Sequence, residues 1–121
     1  MTPADVRLLI KAASLSNREA ADALNVDDRL VRRWKSGEES PAPEHADALI
    51  SLVADALSAQ LIRALEIAAD GRVEIARLAI KPDKIEMDGI ERYSAAVQLK
   101  LRSAFTARLL QRGLKIERDD R

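Results

Sequence analysis

Cysteine is absent from these 121 residues, which excludes a disulfide scaffold and a thiolate zinc site and fits a reducing cytoplasm. Aromatic residues are nearly absent too. Only Trp34, Tyr93 and Phe105 are available, so a core has to be built from Leu, Ile, Val and Ala, a set that favours helices. Net charge is also missing: 20 Lys and Arg stand against 20 Asp and Glu, so any electrostatic footprint has to be local. No window approaches the roughly 18 apolar residues of a membrane helix, and the opening "MTPADVRLLIKAA" lacks a basic leader followed by a long apolar run. A soluble, cytoplasmic protein is therefore expected. The one histidine, His45, has no carboxylate or cysteine at ligand spacing, so it is expected to touch solvent or a phosphate rather than to hold a metal or act as a base. No paired acid and base and no nucleophile beside a base occurs, so no enzyme, catalytic residue or cofactor is expected.

What the chain does contain is punctuation for short helices. Thr2 followed by Pro3 is an N-cap with proline at the first helical position, and Val6, Leu9, Ile10 and Ala13 recur at helical spacing over about residues 3–13. Ser16 with Glu19 is a capping box, Leu15 can act as its staple, and a second helix runs from Asn17 to about Leu24, closed by Asn25 in the left-handed region. Asp27 caps a third helix that Gly37 ends at about Ser36. After the loop "EESPAPE", the apolar pattern from Ala46 to Leu65 predicts a fourth helix reaching Asp70–Gly71, as one rod or two pieces. "RVEIARLAI" from Arg72 leaves strand and helix both open over 72–88, with strand the better match at 73–80. Tyr93, Val97, Leu101 and Phe105 then restore an i, i+4 stripe on a helix spanning 90–112, and "LKIE" is a short strand candidate.

The charge concentrated in "NVDDRLVRRWKSG", residues 25–37, has a simple geometric origin. If Ala21, Leu24, Val26, Leu30, Val31 and Trp34 face one core, then Asp28, Arg29, Arg32 and Arg33 face outward. A helix presenting arginines fits the major groove of B-DNA, where arginine can bridge guanine O6 and N7. Arg29 and Arg33 are four apart and are expected to read bases, with Arg32 and Lys35 beside them at phosphates. Trp34 keeps phase with Val31 and is expected in the core rather than stacked on a base. Asp28 suits the positive end of the helix dipole, and alternatively accepts from cytosine N4. Arg102, Arg108, Arg112 and Lys115 read as the wet side of an amphipathic helix or as a second basic surface.

The stretch "LSNREAADALNVDDRLVRRWKSGEESPAPE" resembles the phage repressor type of helix-turn-helix (Xre/Cro-like) across roughly residues 2–50. The resemblance implies that Asn17, which opens the second helix, and Asp28, Arg29 and Arg33 contact DNA, and that the protein represses transcription. With neighbouring residues, the expected DNA-contacting set is Asn17, Arg18, Asp28, Arg29, Arg32, Arg33 and Lys35. Asn25 stands where the usual turn glycine would be, and Ala20 replaces a larger apolar residue. More narrowly, "VDDRLVRRW" with "PAPE" is similar to the small phage regulators that accompany anti-CRISPR (Aca) genes, and "VQLKLRSAFTARLLQRGLKIE" resembles the C-terminal dimerisation region of one branch of them.

Residues 1–50 hold seven Lys and Arg against nine Asp and Glu, a net of −2, so one head cannot bind DNA well by charge alone and two heads on a palindrome are expected. The expected architecture is mainly α: a helix-turn-helix domain over 1–70 that includes the long fourth helix, and an α or small α+β dimerisation region over 71–121. The stripe Tyr93, Val97, Leu101 and Phe105 is assigned to the homodimer seam, because it exceeds what a lone short helix and two strands can hide. The expected function is a dimeric, sequence-specific repressor of double-stranded DNA, autoregulating a phage or mobile-element operon. The alternatives are an antitoxin with a DNA-binding head and a structural interaction protein that does not bind DNA.

Overall fold

The computed structural model describes residues 1–68, 79–80, 89–112 and 115–116; the expectations for 72–78, 81–88 and 113–114 lie outside these. The fold is mainly helical, with α1 (Pro3–Ala12), α2 (Asn17–Leu24), α3 (Asp28–Ser36), α4 (Pro43–Ala68) and α5 (Ala95–Gln111). A single 3₁₀ turn, Ile90–Arg92, precedes α5. Two-residue segments β1 (Ala79–Ile80) and β2 (Lys115–Ile116) pair in parallel, Ala79 opposite Lys115 and Ile80 opposite Ile116.

Local chemistry accounts for the ends of the first three helices. The Thr2 Oγ1 accepts the Asp5 N–H at 3.1 Å while the Asp5 carboxylate accepts the Thr2 N–H at 3.0 Å, a reciprocal cap with Pro3 at the first helical position. Ser16 and Glu19 repeat the device on α2, both bonds at 3.1 Å. The Ser16 N–H bond holds the Glu19 carboxyl below its ordinary pKa. Asn25 closes α2 at φ 56°, in the left-handed region. Gly37 closes α3 at φ 87°, where a Cβ would also meet the Pro3 ring at 3.1 Å, so the end of α3 is pressed against the start of α1.

One buried cluster runs through the protein: Val6, Leu9 and Ile10 from α1, Ala20 and Ala21 from α2, Val31 and Trp34 from α3, Leu49, Ile50, Val53, Ala54 and Ile62 from α4, and Val97, Leu101, Phe105 and Leu109 from α5. The most extensive helix pairing is between α4 and α5. This corrects the assignment of Tyr93, Val97, Leu101 and Phe105 to a dimer seam. All four are buried within a single chain, where α4 packs against α5 and its stripe of Val97, Leu101 and Phe105, and α5 shares its core with the first four helices instead of forming a region apart. The helix expected over 90–112 also begins later. Tyr93 lies in extended backbone before Ser94, whose N–H is engaged by Asp5 and so cannot bond back to residue 90.

The stretch Pro43–Glu66 of α4, 24 residues with a mean hydropathy of 1.6, is long and apolar enough to cross a membrane, contrary to the expectation that no segment would be. Its inward side chains serve the core just described, an arrangement consistent with a soluble protein.

Asp5 does more than cap α1. Its side chain is 1% exposed and accepts the Ser94 N–H at 2.8 Å and the Ser94 hydroxyl at 2.7 Å, joining the start of α1 to the start of α5 across 89 positions. Burial pushes the carboxyl pKa up, but the bonds from Ser94 and Thr2 outweigh it and hold the group below the ordinary aspartate value. Burial raises the pKa of Tyr93, and the same carboxylate adds to the shift. A carboxyl depressed in the folded state stabilises the fold above its unfolded pKa, and that contribution is lost as pH falls through the folded value. Asp5→Asn is therefore expected to cost about 2–3 kcal/mol at pH 7, in the range of bonds to a charged acceptor, and to make the urea midpoint fall less steeply below about pH 4. Glu19 and Asp27 are depressed as well, so the acid dependence flattens without vanishing. Parallel midpoint-against-pH curves for the two proteins would exclude this role for Asp5.

Candidate nucleic-acid interface

α3 is divided lengthwise. The Asp27 carboxylate accepts the Arg29 N–H at 3.0 Å, which starts the helix and fixes its rotation. Val31 and Trp34 then enter the core, Leu30 packs against it, and Arg29, Arg32 and Arg33 are left in solvent. The arginines are outward because the opposite stripe is the only apolar one the helix has. Only Asn25, Val26 and Asp27 separate α2 from α3, with Val26 packed on the core.

The outward cations are not equivalent. Arg32 reaches back one turn to Asp28 at 3.6 Å, and Arg33 reaches beyond the helix to Glu39 at 3.6 Å. These arginine side chains are 67% and 52% exposed, so the pairs are weak and readily exchanged for another anion. Arg18 and Arg29 form no ion pair among the described residues. Asp27 has its pKa lowered, first by the Arg29 N–H, then by the Asp28 side chain, with the Arg29 and Arg33 charges adding to the effect. Arg18 lines a cleft of about 300 Å³ between α2 and the start of α3, beside Asp22, Asp27 and Asp28. The positive surface is thus interleaved with carboxylates, and Asp28 sits in it as the partner of Arg32.

Asn17 and Lys35, which the sequence places on different helices, are in direct contact: the Lys35 ammonium donates to Asn17 Oδ1 at 2.7 Å. The Lys35 carbonyl in turn accepts from the Arg7 guanidinium at 2.6 Å. Arg7 and Glu39 are the participants that sequence reasoning missed, and the contact of His45 with Trp34 was not foreseen. His45 is half-buried, its ring 5.3 Å from that of Trp34: the indole offers one side of it an apolar seat and the rest keeps its contact with solvent. The partners of Arg7 and His45 lie 28 and 11 positions away, beyond the reach of helical spacing. On the far helix, Lys100 pairs with Asp47 at 3.2 Å and Arg108 with Asp55, so both of these cations bind α5 to α4. Among the described residues no group of three His, Cys, Asp or Glu is placed to hold a metal ion.

No family model, no curated protein and no solved structure matches this chain.

Proposed function

We propose that this protein is a sequence-specific DNA-binding transcriptional repressor, acting in the cytoplasm as a homodimer on a palindromic operator, with α2 and α3 as its helix-turn-helix. The observation that carries the reading is the division of α3, with Val31 and Trp34 buried and Arg29, Arg32 and Arg33 exposed behind a three-residue connection from α2. Repression and an autoregulated phage-type operon rest on the resemblance of residues 2–50 to phage repressors. A dimer is supported by the head's net charge of −2, which leaves a single copy short of phosphate attraction. Since Tyr93, Val97, Leu101 and Phe105 are occupied inside the chain, two copies would meet through a different surface.

Selection from random duplexes, followed by gel shifts on the enriched sequence, tests the reading directly. Arg29→Ala and Arg33→Ala are each expected to weaken binding to the selected site by about 1–3 kcal/mol and to relax preference at one base pair per half-site, with binding to random DNA changing less. Failure of the wild type to enrich any sequence would reject the proposal. Equal losses on selected and random duplexes would show that the arginines meet phosphates only.

A further inference from the structure

We infer that Lys35 acts on DNA through Asn17, as a positioning residue, and does not itself contact a phosphate. The inference rests on the DNA-binding reading and concerns how that site is oriented. An ammonium group has three donors and no acceptor, so the Asn17 atom facing it at 2.7 Å has to be the carboxamide oxygen. The NH₂ end of the same amide is thereby turned away from Lys35. Among the described residues nothing accepts from it, although Asn17 is half-buried at the first position of α2. Two N–H donors are thus held in one orientation at the opening turn of α2. An acceptor oxygen is the complementary ligand, and on DNA that is a backbone phosphate. Without Lys35, the carboxamide can rotate and present its oxygen instead, which repels a phosphate.

Lys35 is itself held. Its carbonyl is fixed by Arg7 and its side chain, half-buried, runs from the last turn of α3 to the first residue of α2. The chain of contacts Arg7, Lys35, Asn17 therefore links α1, α3 and α2 on the side where the DNA is proposed to lie. One of the three N–H donors of Lys35 is committed to the neutral Asn17 oxygen, and that bond together with the half-buried stem fixes where the ammonium sits.

The two roles give different results on a duplex selected by the wild-type protein. If Lys35 positions Asn17, Lys35→Met and Asn17→Ala each weaken binding about tenfold, and the double variant is no weaker than Asn17→Ala alone, since both remove the same contact. The slope of log K against log salt stays at the wild-type value in Lys35→Met, and Lys35→Arg, which keeps the donors, restores binding. Asn17→Asp, which offers a second oxygen outward, weakens binding more than Asn17→Ala. If Lys35 is a phosphate ligand, the losses from Lys35→Met and Asn17→Ala multiply, and the salt slope falls by about 1 in Lys35→Met; that outcome overturns the inference and leaves DNA binding standing. Melting curves of each variant separate loss of contact from loss of fold, and Lys35→Gln decides the matter if Lys35→Met unfolds: a neutral donor that keeps binding and the salt slope supports positioning, and a slope lower by about 1 overturns it. A wild-type protein that selects no duplex rejects both this inference and the reading beneath it.

Discussion

Trp34→Ala is expected to abolish the cooperative unfolding transition of the head. The indole is 1% exposed, is the largest fully buried side chain, and seats His45 at 5.3 Å. Truncating a core aromatic costs about 3–5 kcal/mol, and a domain of this size has a total stability of the order of 5–15 kcal/mol. Few residues are available to close the cavity, because α2, which packs against α3, brings only the alanines Ala20 and Ala21 fully into the core. The measurement is a urea titration followed by circular dichroism at 222 nm. A variant with the wild-type midpoint that has merely lost DNA binding would put the indole on the outer face of α3 and reverse the division on which the interface depends.

Leu101→Glu is the second large effect, and the burial of this residue decides its outcome. As a seam residue, a glutamate there would give either monomers or insoluble protein. Leu101 is instead 1% exposed inside one chain, between α4 and the rest of α5, so the substitution removes a buried leucine and forces a carboxyl into an apolar site. Loss of the leucine alone corresponds to about 2–5 kcal/mol, and the carboxyl adds its desolvation. Unfolded or insoluble protein is expected. Sedimentation together with a thermal melt is the check: a soluble monomer with a wild-type melting temperature would restore Leu101 to an intermolecular surface and take α5 out of the core.

These two residues mark where the sequence is legible and where it stops being so. Trp34 could be placed because its phase with Val31 and the caps at Asp27 and Gly37 are set within a dozen positions, and the backbone closes each helix by the same local bonds wherever the chain then goes. The same holds for Ser16, Glu19 and Asn25 around α2. The stripe on α5 was equally visible as a pattern, but an i, i+4 repeat states that a face is covered and not by what. α4, which covers it, begins about fifty positions earlier, and its own pattern gave no hint of a partner. Asp5 carries two roles, of which only the capping box is local; its bonds to Ser94 follow from tertiary packing. The set Arg29, Arg32 and Arg33 was readable from phase, whereas the carboxylates that engage two of them, and the contact between Lys35 and Asn17, depend on side chains meeting across elements.

The tie between Asp5 and Ser94 also orders events in time. Synthesis delivers α1 through α4 well before residue 94 exists, and the short-range α2–α3 pair can form as soon as it has emerged. The carboxylate of Asp5, in contrast, stays hydrated until α5 arrives to take it out of water, and the loop that must close for this contact is the longest whose ends bond through described side chains. Final locking of the N-terminal helix thus waits until residue 94 has been made. A nascent or truncated chain would hold a native-like α3 on an unfinished base, so that maturation of the proposed reading head is timed by the appearance of α5.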